Sequence, residues 1–112
     1  EQAIINGSGE QERDFVYVGD VAQANVLALN GGNNGIYNIG SGIGTNINTI
    51  FDELARATTY KRDAVHGPPK LGEVWKIYLK ADKATKELGW RQTVSLTDGL
   101  QRTVEWFRDH LG

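Results

Sequence analysis

The sequence predicts an α/β fold of short strands and about four helices, and three observations carry that prediction. Runs of β-branched and aromatic residues alternate with helix-favouring stretches in the first forty residues. Two later segments carry apolar stripes at helical spacing, and glycine clusters punctuate the chain between them.

In chain order, Ala3-Ile4-Ile5 forms a brief strand that runs into the turn-rich Asn6-Gly7-Ser8-Gly9. Arg13-Asp14-Phe15-Val16-Tyr17-Val18 follows; it is apolar on both faces from Phe15 on and is expected to be a buried strand. Asp20 is expected to cap a helix over Val21 to Asn30, which the loop Gly31-Gly32-Asn33-Asn34-Gly35 ends. Ile36-Tyr37-Asn38-Ile39 makes a second strand, and the order strand, helix, strand suggests a parallel βαβ unit. After the glycine loop Gly40-Ser41-Gly42-Ile43-Gly44, Thr45 or Asn46 caps a helix striped by Ile47, Ile50, Phe51, Leu54 and Ala55. Residues 59–76 read as loop, with Gly67-Pro68-Pro69 forcing extended backbone, and Trp75 to Lys80 as a further strand. Asp82 is expected to cap a short helix, Lys83 to Leu88, stopped by Gly89. Ser95 and Asp98 have capping-box spacing ahead of a last helix striped by Leu96, Leu100, Val104, Phe107 and Leu111.

The chain has 112 residues, formal net charge −2, and neither cysteine nor methionine. The length suits one modest core, so residues 1–112 are read as a single unit, and the missing methionine as the mark of a fragment. Without cysteine there is no disulfide framework or thiolate chemistry, and the cytoplasm is the default compartment. His66 and His110 stand far apart, which argues against a zinc site. No apolar run reaches the length of a membrane span. Arg13 and Arg56 are the only bases against seven acids in residues 1–60, whereas residues 61–112 carry ten bases against seven acids. That excess is too small for nucleic acid and better sized for one anionic small molecule.

Three features can carry chemistry. Arg13, at a strand start, can present its planar fork to phosphate or carboxylate, or else pair locally with Asp14 or Glu12. The 40–44 loop could turn backbone N–H groups toward an anion, but its third glycine comes one residue too early for the dinucleotide pattern, and a tight turn explains it equally. Lys70-Leu71-Gly72-Glu73 offers a cation for phosphate and a carboxylate for vicinal hydroxyls, or a solvated charged loop. The four tyrosines are followed four residues later by Val21, Ser41, Ala64 and Asp82, so no Tyr-x-x-x-Lys pair occurs, and nothing resembles a nucleophile elbow.

The succession "NGSGEQERDFVYVGDVAQANVLAL", "GIYNIGSGIGTNINTIFDEL", "GPPKLGEVWKIYLKADKATKELGW" and "VSLTDGLQRTVEWF" resembles the C-terminal part of NAD-dependent nucleotide-sugar epimerases and dehydratases, the extended short-chain dehydrogenases with a Rossmann-type fold. The 4-epimerases of UDP-glucose and UDP-galactose are the most similar branch. The resemblance implies that Arg13, from the family's "RDF" motif, binds the diphosphate. Lys70 and Glu73 fall on the basic and acidic positions of "RPGE/D", which contact phosphate and ribose; Ile47, and the segment Ile4 to Asn6, lie near the base. Lys70-Leu71 stands where Arg-Pro is usual, replacing a bidentate grip by a point charge, and Gly19 where an acid is common.

By the same resemblance, NAD and the catalytic pair belong to an N-terminal part that this sequence does not match, so no cofactor is expected here. The partner is a UDP-sugar or other nucleotide-sugar, oxidised at C4 and reduced from the other face in the epimerases. The chain itself would be inactive, and the parent a homodimer. The alternatives are a 4,6-dehydratase or reductase fragment and a non-enzymatic binding module. Elements around Arg13 to Asn30 and Tyr37 would lack their usual cover, so the fragment is expected to associate through exposed apolar surface.

Overall fold

The computed structural model describes residues 1–31 and 34–111. Among them the elements run β1 (Ile4–Asn6), β2 (Glu12–Arg13), α1 (Val18–Gly31), β3 (Thr45–Asn46), α2 (Ile47–Thr58), β4 (Val65–Gly67), α3 (Asp82–Leu88) and α4 (Leu96–Leu111). β1 pairs in parallel with β4, Ile4 opposite Val65 and Asn6 opposite Gly67, while β2 runs antiparallel to β3 with Arg13 opposite Thr45. α1 packs on α3 and α2 on α4.

The helices follow from local signals. Asn46 caps α2, its side-chain oxygen accepting from the Thr49 N–H at 2.8 Å, and Ser95 Oγ accepts from the Asp98 N–H at 3.1 Å to start α4. α3 ends at Gly89 with φ 71°. Asp82, expected as its cap, is instead its first residue, where a negative charge faces the positive end of the helix dipole; Ala81 before it makes no side-chain cap bond.

The strands differ from expectation. Of the expected strand over residues 13–18 only Arg13 pairs, in β2 with Glu12 before it; α1 already begins at Val18, and Ile36–Ile39 is not a strand. A strand needs a neighbouring backbone as well as β-branched residues, and among the described residues neither residues 15–17 nor residues 36–39 have one. Val16, Tyr37 and Ile39 instead pack their side chains on the cluster of Ala24, Ala84 and Trp90, so the βαβ unit does not form. Trp75 to Lys80 is reduced to a bridge from Lys76 to Glu12, and β4 emerges inside the stretch read as loop, because Val65-His66-Gly67 carries no apolar alternation. Of the loop expected at 31–35, Gly32 and Asn33 lie outside the described residues.

Asp20 does not cap its own helix. It turns inward, 3% exposed, and accepts from Thr93 Oγ1 at 2.6 Å, the Val94 N–H at 3.0 Å and the Thr93 N–H at 3.1 Å, while Trp90 Nε1 donates to its backbone carbonyl at 2.8 Å. This fastens α1 to the segment ahead of α4 across more than seventy residues of sequence.

The molecule is a slab 18 Å thick with a radius of gyration of 16.3 Å, against about 13 Å for a sphere-like chain of this length. Its accessible surface, 8002 Å², exceeds by roughly 1,900 Å² the ~6,100 Å² usual for 12.3 kDa. Val18, Leu29 and Ile36, around α1 and the segment after it, are 72%, 87% and 85% exposed, whereas Phe15, Val16 and Tyr17, of the run expected to lack cover, are half-buried.

Asp20→Ala strands two N–H donors and a hydroxyl, and urea unfolding should show a loss of about 2–3 kcal/mol. Burial pushes the Asp20 carboxyl up, but the Thr93 hydroxyl, the Val94 and Thr93 amides and the Arg102 charge outweigh it, leaving it below the ordinary 3.8. With the folded value depressed, its contribution is complete above the unfolded value and is lost as pH falls through the folded one. Wild-type stability should therefore drop more steeply below about pH 4 than that of Asp20→Ala.

Candidate functional site

Asp14 organises the region. Its carboxylate accepts from Ser41 Oγ at 2.7 Å, the Ser41 N–H at 2.9 Å, and the Gly42 and Leu79 N–H groups at 3.1 Å. The glycine loop is thus an anion cradle already filled by the chain's own carboxylate. Gly40 is required there, since a Cβ would come within 2.8 Å of both the Asp14 carboxylate and Leu79. Burial pushes the Asp14 carboxyl up; the hydrogen bonds from the Ser41 hydroxyl, then the Ser41, Leu79 and Gly42 amides, outweigh it and hold it below 3.8. With the Ser41 and Gly42 N–H groups taken by Asp14, the 40–44 loop does not fit the phosphates of a dinucleotide.

β2 ends one residue before this hub, which aims Arg13. Its Nη1 donates to the Glu12 carbonyl at 2.7 Å, and its Nη2 meets Glu73 Oε2 at 3.1 Å. The carboxylate partner is therefore neither Asp14 nor Glu12, the two local choices; Glu12 pairs with Lys76 at 3.3 Å. Glu73 reaches this position from a turn in which its N–H donates to the Lys70 carbonyl at 3.3 Å and Gly72 takes φ 75°. The Arg13 and Glu73 side chains are 24% and 29% exposed, and a pair so wetted is worth about 1 kcal/mol at most.

Two clefts meet at Lys70 and Glu73. One, of about 470 Å³, has Arg13, Leu71 and Ile77 on its other walls; the second, of about 520 Å³, has Asn6, Gln11, His66 and Trp75. Arg13, Lys70 and Glu73 are thus brought together, with Asn6 on the adjoining wall. Ile47 starts α2 half-buried, its N–H donating to the Gln11 carbonyl at 3.2 Å, but lines neither cleft. Ile4, 66% exposed and paired with Val65, lies outside both. Gln11 is the residue that sequence reading missed: it is 5% exposed, and its Nε2 donates to the Asn6 carbonyl at 2.9 Å and to Glu73 Oε1 at 3.4 Å. A lone glutamine in a charged stretch carries no periodicity or motif that would single it out.

Two cations flanking a cleft, with a carboxylate between, suit a ligand that carries both phosphates and hydroxyls. Residues 1–103 match the model of the GDP-mannose 4,6 dehydratase family. The chain belongs to that family. Its solved relatives include the UDP-glucose 4-epimerase of Thermotoga maritima, determined with UDP-glucose: TM-score 0.96, 46% identity, all of this chain and 36% of that one. A Methanocaldococcus jannaschii protein named as a candidate UDP-glucose 4-epimerase is 45% identical over 107 residues, 96% of this chain and 34% of its own length. The dTDP-glucose 4,6-dehydratase of Streptomyces niveus is 32% identical over 112 residues, 98% of this chain and 33% of its own length. The chain therefore spans about a third of the curated relatives it matches, and its four helices with short strands are a section of the extended short-chain dehydrogenase fold. Among the described residues no helix is long and apolar enough to cross a membrane.

Asp14→Asn replaces an acceptor by an amide whose N–H₂ faces donors. Thermal or urea unfolding should show about 2 kcal/mol lost, with the Ser41, Gly42 and Leu79 amides exchanging hydrogen faster while those of α2 hold their protection.

Proposed function

We propose that the chain is the substrate-holding portion of an NAD-dependent 4-epimerase of UDP-glucose and UDP-galactose. Arg13 and Lys70 grip the diphosphate, Glu73 takes the ribose hydroxyls, and Asn6 borders the base. The observation that carries this reading is the meeting of Arg13, Lys70 and Glu73 on one cleft from distant parts of the sequence. The high identity to a 4-epimerase determined with UDP-glucose supports it. The chain's role is positional: binding energy from the nucleotide fixes the leash on which the sugar turns, while hydride chemistry belongs to a dinucleotide-binding part of a longer protein. The chain alone turns nothing over. The likeness to dTDP-glucose 4,6-dehydratase favours, as second reading, a dehydratase using the same anchor, which a preference for dTDP over UDP would reveal.

Calorimetric titration should show UDP and UDP-glucose binding, weakened at least about tenfold by Arg13→Ala and about threefold by Lys70→Ala, the latter effect shrinking with salt. No binding, or binding indifferent to Arg13, overturns the reading. The surplus of roughly 1,900 Å² on this one chain is more than twice the ~800 Å² that each partner buries in a standard protein interface. In this reading it packs on the rest of a longer, homodimeric parent, and on a second copy when the chain is alone. Light scattering at rising concentration should show association; a strict monomer removes that part.

A further inference from the structure

Glu73 is paired with Arg13, the arginine at the cleft. Of the terminal nitrogens of Arg13, Nη1 is tied to the Glu12 carbonyl at 2.7 Å and Nη2 to Glu73 Oε2 at 3.1 Å, so each already carries one partner. Lys70 differs: among the described residues no carboxylate lies within ion-pair distance of its Nζ. The other oxygen of Glu73, Oε1, lies 3.4 Å from Gln11 Nε2, and Gln11 is buried and fixed by its second bond to the Asn6 carbonyl. Glu73 thus has one oxygen on a wetted, separable partner and the other on an immobile one. A diphosphate carries more negative charge than one carboxylate and finds a second cation at Lys70, so it can displace Oε2 from Arg13 without burying an unpaired charge.

We propose that Glu73 stands in for the substrate's phosphate in the empty site and is exchanged on binding: phosphate takes Arg13, and the released carboxylate, steadied by Gln11, turns to the ribose hydroxyls. This rests on the nucleotide-sugar reading above. Gln11 is then a positioning residue, and the exchange is a source of selectivity. A free pyrophosphate must displace Glu73 without offering it a new partner, whereas a nucleoside diphosphate supplies the hydroxyls that accept the exchange. The site therefore discriminates against abundant inorganic phosphates by more than size.

The test is calorimetric, with pyrophosphate, UDP and 2′-deoxy-UDP titrated into the wild-type chain, Glu73→Gln, Arg13→Ala and the double variant. Glu73→Gln should bind pyrophosphate about fivefold more tightly, the gain should vanish when Arg13 is absent, and the preference for UDP over 2′-deoxy-UDP should fall toward one. Gln11→Leu should lower the same preference while leaving pyrophosphate affinity as it was. Glu73 lies at the surface, so its variant remains informative if Gln11→Leu fails to fold. Unchanged or weaker pyrophosphate binding by Glu73→Gln, or a gain that persists without Arg13, overturns the exchange. Wild-type UDP binding that is intact and Arg13-dependent alongside such a result leaves the nucleotide-sugar reading standing, whereas absence of UDP binding removes both.

Discussion

The structure depends on the Asp14 carboxylate. With only two two-stranded pairs among the described residues, there is no large sheet to hold the segments in register, and a multiply hydrogen-bonded carboxylate does that work. Asp14 collects β2, the glycine loop and residue 79 at one point; six positions later Asp20 collects α1, Trp90 and the segment ahead of α4 at another. Phe15 to Tyr17 is strung between these two anchors. That explains an extended segment with no strand neighbour: its ends are fixed by side-chain acceptors, Val16 packs on the core, and Tyr17 lies against Gly99 with the Arg102 guanidinium 5.5 Å from its ring.

The two kinds of polar contact differ in strength in a way that matters for the site. The aspartates are satisfied by several short bonds each, and their lowered pKa values express how firmly the ionised form is held. The ion pairs on β2 are wetted and weak. Glu12 and Arg13 both face outward to the 70–77 segment, meeting Lys76 and Glu73, with backbone bonds from Glu12 to Trp75 and Ile77 at 2.8 and 3.1 Å. The frame around the site is rigid while the contacts inside it are replaceable, a combination suited to binding a charged ligand without rebuilding the fold.

The helices were legible because their signals are local: α2 and α4 announce themselves by stripe and cap within a few residues of each other. Strand assignments failed where propensity stood in for a partner. At 13–18 and 36–39 the residues favour extended backbone, but pairing depends on chain elsewhere, which no local pattern encodes. Both structural aspartates were misread for a related reason. Asp20 looked like a cap and Asp14 like a neighbour for Arg13, whereas their partners lie 73 or 74 and 27 to 65 positions away. Arg13 and Lys70-Glu73 were each legible as separate candidates from their residue chemistry, but their membership of one site came only from the order of motifs and the likeness to a family, since nothing in charge or spacing connects Arg13 to Glu73. Gln11 had no signal of either kind.

The ion pairs that join the two halves do not follow their uneven charge. β2, in the acidic half, and residues 70–76, in the basic half, are joined by pairs of both polarities, Arg13 to Glu73 and Lys76 to Glu12, so each half contributes one acid and one base to the contact. The 70–77 segment is held by these pairs and a few backbone bonds, while Leu71, Val74 and Trp75 stay 97%, 55% and 55% exposed. Its docking is polar rather than hydrophobic. A ligand that takes Arg13 from Glu73 while holding Lys70 removes one of those ties and supplies another in its place, so the segment stays against β2 through the ligand itself. Occupancy of the cleft and the position of the 70–77 segment are therefore coupled through Arg13, a residue whose own placement traces back to the carboxylate beside it.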